Sequence, residues 1–152
     1  MSEAMSEFAH PAILETKLAL GEITLIADSA QIVDLCRHFK DHEKFVRLSS
    51  ITAVDWHPAE PRFEVVYHLH SIDPIRRVRV KCRVSGQNPE IDSVYSVWRA
   101  ADWYEREIFD LFGIGFRNHP NLVRILMPLD WEGHPLRKDY PVHGYKYGYA
   151  KE

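Results

Sequence analysis

The spacing of apolar positions changes along the chain, and each change predicts an element. Over residues 8–20, Ile13, Leu14, Leu18 and Leu20 give a rough helical face among polar neighbours. The run EITLIA at 22–27 predicts a short strand. Asp28 or Ser29 is placed to cap a second helix, in which Ile32, Leu35, Cys36 and Phe39 recur at spacings of three and four. Residues 45–56 lean towards β structure through Val46, Leu48, Ile51, Val54 and Trp56, and RFEVVYHLHSI at 62–72 predicts a stronger strand between flanking prolines. From 77 to 84 the alternation is strict. Val78, Val80, Cys82 and Val84 face one way, and Arg77, Arg79, Lys81 and Arg83 the other, so one side is buried and the other basic. Asp73 and Pro74 supply the turn that makes a hairpin of these two strands, and residues 93–97 predict one more short strand.

The run EREIFDLFGIGF at 105–116 predicts the central helix. Asp102 is placed to cap it, Glu105 completes a capping-box spacing, and Gly113 falls where a left-handed cap belongs. Tyr104, Ile108, Leu111 and Phe112 share one arc, while Trp103 and Phe109 lie outside it on two other sides. Glu105, Arg106, Glu107 and Asp110 are spread among these apolar groups, and spacing predicts an Arg106–Asp110 ion pair. A helix exposed on one side keeps that side free of aromatics. This one predicts cover on more than one side, from its own domain and from another protein. The order of elements predicts an α+β fold, two-layer, with a mixed β-sheet and helices on one face.

After residue 116 the character changes. Pro120, Pro128, Pro135 and Pro141, with Gly133, Gly144 and Gly148, rule out a long helix. Six basic and four acidic residues leave this part at +2, so against −3 overall the preceding part carries −5. Trp131, Tyr140, Tyr145, Tyr147 and Tyr149 make it too aromatic for a typical disordered tail. The expectation is an α+β domain over 1–116 and an extended irregular C-terminal arm over 117–152, lying across a partner and not folding as an independent domain.

Composition narrows the function classes. A net charge of −3 gives no global basic field for nucleic acid, and no apolar run approaches a membrane span. The polar start over residues 1–11 predicts no signal peptide. Cys36 and Cys82 form no Cys-x-x-Cys pair and read as buried thiols. His57, His68 and His70 could be weighed as metal ligands, but two histidines at i, i+2 lack a Cys or carboxylate at ligand spacing. Glu105, Glu107 and Asp110 could be weighed as an acid/base cluster, and Glu107, Asp110 and His119 as the centre of a free-standing small enzyme. Helix capping and interface packing account for the same residues. The glycines of GIG at 113–115 follow a helix, whereas a dinucleotide fingerprint opens one.

EREIFDLFGIGF, then HPNLVRILMP at 119–128, then DWEGHPLRKDYP at 130–141 together closely resemble the C subunit of respiratory NADH–quinone oxidoreductase, complex I. ITAVDW at 51–56 and RFEVVYHL at 62–69 look like the same family. Val123 departs from it, standing where members often carry a basic residue, while Arg124 is retained. The resemblance implies a peripheral-arm subunit with no catalytic, cofactor or metal residues of its own. FMN, iron–sulfur clusters and quinone are then expected in other subunits. It implies a place on the cytoplasmic side of the bacterial membrane, against the quinone-site D subunit and its neighbours, with membrane contact only through the complex. The residues it points to for partner binding are Trp103, Glu105, Arg106, Glu107, Asp110 and Phe112 on the helix. His119, Pro120, Arg124, Trp131, His134, Arg137, Lys138, Asp139 and Tyr140 follow on the arm. The module is also similar to subunits of group 4 membrane-bound hydrogenases and of ferredoxin- or F420-dependent dehydrogenases, so the electron donor stays open.

Overall fold

The structure, a computed structural model, describes residues 7–144. Tyr145, Tyr147 and Tyr149 lie outside them. Five strands form one sheet: β1 (Ile13–Ala19), β2 (Glu22–Ala27), β3 (Arg47–Asp55), β4 (Phe63–Ser71) and β5 (Arg76–Val84). Their order is β1-β2-β5-β4-β3. Pairs are antiparallel except β2 with β5, which are parallel and therefore need a long crossover through α1 (Ile32–Asp41), β3 and β4. A two-stranded parallel ladder joins β6 (Glu90–Asp92) to β7 (Gly115–Arg117), and α2 (Ala101–Phe112) connects them.

The two faces of the large sheet follow from strand alternation. Leu25, Val80, Tyr67 and Ile51 stand in one cross-strand row, all buried. With the next row, Ala27, Cys82, Val65 and Ala53, they share a core with Leu35 and Phe39 of α1 and Ile108 of α2. The opposite face carries the row Thr24, Arg79, His68, Ser50 and, beyond it, Lys81 and Arg83. This is the expected α+β fold, a mixed sheet with its helices on the apolar side.

Two predicted elements differ. Residues 8–20 form the strand β1 and not a helix. Leu20 (φ 52°) and Gly21 (φ 76°) make a tight two-residue turn of the kind that joins hairpin strands, and β1 pairs along β2. Leu14 and Leu18, the expected helical face, are exposed on this edge strand. The short strand predicted at 93–97 lies earlier, at β6, and 95–97 form a turn before α2. Asp28 does cap, but through a short 3-10 turn, Ser29–Gln31, that leads into α1.

Candidate functional site: the second helix and its strap

α2 packs on β3 along one side and is crossed by the chain returning after β7. Its ends differ from expectation at the start and agree at the finish. The N-cap is Ala100 with no side-chain bond, so Asp102 and Glu105 form no capping box. Gly113 takes the left-handed conformation at φ 75° and donates to the Phe109 carbonyl at 2.9 Å.

Glu105 turns inwards instead. Its side chain is fully buried and accepts from Ser93 Oγ at 2.5 Å and from the Val94 N–H at 2.8 Å. Burial pushes its carboxyl up to about 7; the Ser93 and Val94 bonds oppose that, and the Asp102 charge adds to it. His119 lies beside it, buried. The Asn121 N–H donates to His119 Nδ1 at 3.0 Å, which leaves the ring proton on Nε2. That nitrogen sits 3.3 Å from the Asp102 carbonyl, 3.2 Å from Asp102 Oδ1 and 3.9 Å from Glu105 Oε2. The Oδ1 approach is close in distance but poorly aligned, so the carbonyl is the better acceptor.

Asp110 is the anchor of the strap. Its Oδ2 accepts three consecutive backbone N–H groups, from Ile125 at 3.1 Å, Leu126 at 2.7 Å and Met127 at 2.9 Å. Its Oδ1 accepts from Arg124 at 2.7 Å, so the predicted Arg106–Asp110 pair is replaced by Arg124–Asp110. Burial alone would raise this carboxyl, but these four bonds hold it below the usual range. Arg124 also donates to the Gly133 carbonyl at 2.9 Å, and His134 Nδ1 meets the Asp110 carbonyl at 2.9 Å. Arg137 Nε donates to the Phe112 carbonyl at 2.6 Å, and the Leu136 N–H donates to the Leu111 carbonyl at 3.0 Å. The orphan carbonyls at the end of α2 are thereby satisfied by the strap.

A second anchor ties the strap to the sheet edge. Arg62 grips Asp55 through Nε and Nη2, each at 2.8 Å, and reaches Asp139 at 2.6 Å. The Lys138 N–H donates to Asp55 Oδ2 at 2.9 Å. The Arg62 hydrogen bond holds the Asp55 carboxyl far below its ordinary value, against burial and with help from Lys138 and His57. Farther along, Trp131 Nε1 donates to the Tyr140 hydroxyl at 3.0 Å.

The strap's outer surface carries large apolar groups beside its charged ones. Leu126 is 60% exposed, Leu129 82% and Leu136 52%, and Trp103 of α2 is 59% exposed with Arg106 over its ring. Arg106 also donates to the Val123 carbonyl at 3.1 Å. Glu107 and Pro120 are exposed. The candidate residues therefore divide. Glu105, Asp110 and Phe112 are buried in the chain, His119, Arg124, His134 and Arg137 hold the strap, and Trp103, Glu107, Pro120, Lys138 and Asp139 reach the surface. Glu107, Asp110 and His119 belong to three separate surroundings and share no hydrogen bond. Asp55 and Arg62, both part of the second anchor, are not among the expected site residues, although ITAVDW and RFEVVYHL contain them.

Among the described residues no group of three or more His, Cys, Asp or Glu could hold a metal ion, and no helix is long and apolar enough to cross a membrane. Cys36 and Cys82 are buried thiols, and burial pushes Cys82 up to about 12.

Fold and site define a two-layer α+β domain whose central helix is clasped by an irregular strap that exposes three leucines. The chain belongs to the family described as respiratory-chain NADH dehydrogenase, 30 Kd subunit, which matches residues 25–146. It is 47% identical over 133 residues to the C subunit of NADH-quinone oxidoreductase from Citrifermentans bemidjiense, covering 88% of this chain and 83% of that one. It is 52% identical over 118 residues to the corresponding C 2 subunit from Rhizobium etli, covering 76% and 63%. Among solved structures it resembles the trypsin-resistant fragment (1-134) of Nqo5, with TM-score 0.64 and 31% identity over 69% of this chain and 86% of that one. It also resembles a chain of the membrane-bound sulfane sulfur reductase, an archaeal respiratory membrane complex, with TM-score 0.72 and 28% identity over 87% and 79%. Membership makes it a subunit of complex I, an oxidoreductase of the respiratory chain.

Proposed function

We propose that this chain is a non-catalytic peripheral-arm subunit that docks the quinone-site D subunit of a proton-translocating NADH–quinone oxidoreductase. In this reading residues 1–116 are the α+β domain and 117–152 the partner-binding arm. FMN, iron–sulfur clusters and quinone reside in other subunits, and the chain lies on the cytoplasmic side of the bacterial membrane as part of the membrane complex. The chain then supports electron transfer from NADH to quinone by holding its neighbours in place.

One observation carries the reading. Arg124, Arg137 and four backbone N–H groups of the strap turn inwards, onto Asp110, Phe112 and Asp55, while Leu126, Leu129 and Leu136 turn outwards. Three leucines exposed together on a backbone fixed by these bonds suit a partner. The test is affinity purification of tagged chain from gently solubilised membranes, with and without Leu126→Glu and Leu129→Glu. Loss of the D subunit with a folded chain supports docking through the strap. Full recovery of D with the double variant sinks it.

A second reading has support in the likeness to a chain of the sulfane sulfur reductase, a respiratory membrane complex named for a substrate other than NADH. The chain could serve a hydrogenase or a ferredoxin- or F420-dependent dehydrogenase. The same purification separates the two, because a flavin-bearing NADH-oxidising partner is recovered only under the first.

A further inference from the structure

A cleft of about 810 Å³ lies between the end of α1, the start of β3 and the turn into α2. No residue after Tyr104 lines it, so it is separate from the strap. Val46, Trp98 and Tyr104 form apolar wall, and Lys40, Arg47 and Arg99 supply charge. No carboxylate lines the cleft, although acidic residues outnumber Lys and Arg in the chain by 22 to 19.

These cations differ from the others nearby. On the open sheet face Arg79 is paired with Glu22 at 2.7 Å, and Lys81 and Arg83 both reach Glu64. Lys40, by contrast, donates its ammonium to the neutral Val97 carbonyl at 2.6 Å and forms no ion pair with a described residue. Arg47 and Arg99 are exposed and form no ion pair with a described residue. Trp98 is only 6% exposed, and its indole N–H has no acceptor among the described residues. Arg47 and Ser49 also border a second concavity, of about 450 Å³, that adds Arg77 and Arg79 with Glu22 as its one carboxylate. Of these, Arg79 is paired with Glu22, and Arg77 forms no ion pair with a described residue.

We propose that this cleft docks an acidic segment of a partner polypeptide. Its carboxylates would meet Arg47, Arg99 and Lys40, and an apolar side chain would lie between Val46, Trp98 and Tyr104. A phosphate or headgroup alone would satisfy the cations and leave the apolar wall uncovered, whereas a chain that alternates carboxylate and apolar groups covers both. The inference stands whichever respiratory complex the chain joins.

The test is nuclear magnetic resonance of the full chain, 15N-labelled at tryptophan, titrated with a short synthetic peptide that alternates Glu with Leu. The Trp98 indole N–H signal is expected to shift saturably, and a Lys-Leu peptide of equal length is expected to leave it unmoved. Arg47→Glu with Arg99→Glu, both at exposed positions, is expected to weaken binding by about tenfold or more. Absence of a saturable shift, or equal affinity in the charge-reversed variant, overturns the proposal. So does an equal response to inorganic phosphate or to phosphatidylglycerol vesicles, which would assign the cleft to a phosphate group instead.

Discussion

Glu105 and Asp110 lie on the same helix with no side-chain exposure, yet their surroundings push them in opposite directions. Glu105 has two donors and a neighbouring carboxylate, and burial wins, taking its carboxyl from 4.5 up to about 7. The folded state therefore holds this proton more tightly than the unfolded chain does. Stability from Glu105 is complete below the ordinary carboxylate value and is lost as pH rises through about 7, an effect on the order of 3 kcal/mol. His10, His68 and His134, all lowered chiefly by burial, act in the opposite sense below their ordinary value, so the wild-type profile mixes both. Glu105→Gln removes only the first contribution. Urea unfolding at about pH 5 and about pH 8 should show the variant gaining on wild type at the higher pH. A constant difference between the two proteins would mean that Glu105 titrates normally. Asp110 has four donors and stays ionised. Asp110→Asn turns an amide N–H towards those donors and strands Arg124, so a loss of about 3 kcal/mol in the same unfolding assay is expected. A loss under about 1 kcal/mol would show that the strap contributes little to the folded state.

At the scale of elements, legibility in the sequence depends on whether burial sets the pattern. β4, β5 and α1 are readable because Tyr67, Val80 and Leu35 face the core, and the period of such residues is the signal. β1 is not, because its leucines are exposed and its identity comes from pairing with β2 and from the Leu20–Gly21 turn. The Asp102–Glu105 spacing imitates a capping box, but a capping box is local, and Glu105 finds better donors in Ser93 and Val94 across the fold. Arg106 yields Asp110 to Arg124 for a similar reason: a neutral carbonyl remains for Arg106, whereas three aligned N–H groups come with Arg124. The motifs mark which residues matter, and tertiary contacts decide what they touch. Gly113 is legible as a cap, but its second role, close approach, is invisible in the sequence. A Cβ there would lie 2.6 Å from the Arg137 and His134 side chains. Gly21 offers a built-in control, with φ +76° against +75° and nothing within 4 Å of its would-be Cβ. Gly21→Ala should cost about 1 kcal/mol from backbone strain, and Gly113→Ala about 2–3 kcal/mol, because it also displaces the strap. Equal losses in thermal or urea unfolding would show that Arg137 and His134 move aside freely.

On the scale of the whole molecule, the sheet, its helices and the strap form successive layers joined by different forces. Apolar burial holds the helices to the sheet through residues such as Phe39 and Ile108, a non-directional contact that tolerates small shifts. The strap is held by charge-assisted hydrogen bonds at two places, Asp110 at the end of α2 and the Asp55–Arg62–Asp139 chain at the sheet edge. Between them lie His134 and Arg137, each bonded to a backbone carbonyl, with no strand or helix to hold the segment locally. A segment without internal regular structure closes cooperatively only if each anchor lowers the entropy cost of forming the other. Amide hydrogen exchange can read both ends at once. If the strap closes as one unit, Arg62→Ala should speed exchange at Leu126 and Met127 on Asp110 as well as at Lys138 on Asp55, while Tyr67 and Val80 in the sheet keep their protection. Combined with Asp110→Asn, the loss of stability should then fall short of the two single losses added, since one broken anchor already frees the other. If Arg62→Ala instead loosens only Lys138, the anchors are independent, and the outward leucines are positioned by Asp110 alone. The surface proposed to face a partner would then depend on a single carboxylate, and Arg62→Ala would leave recovery of the neighbouring subunit unchanged.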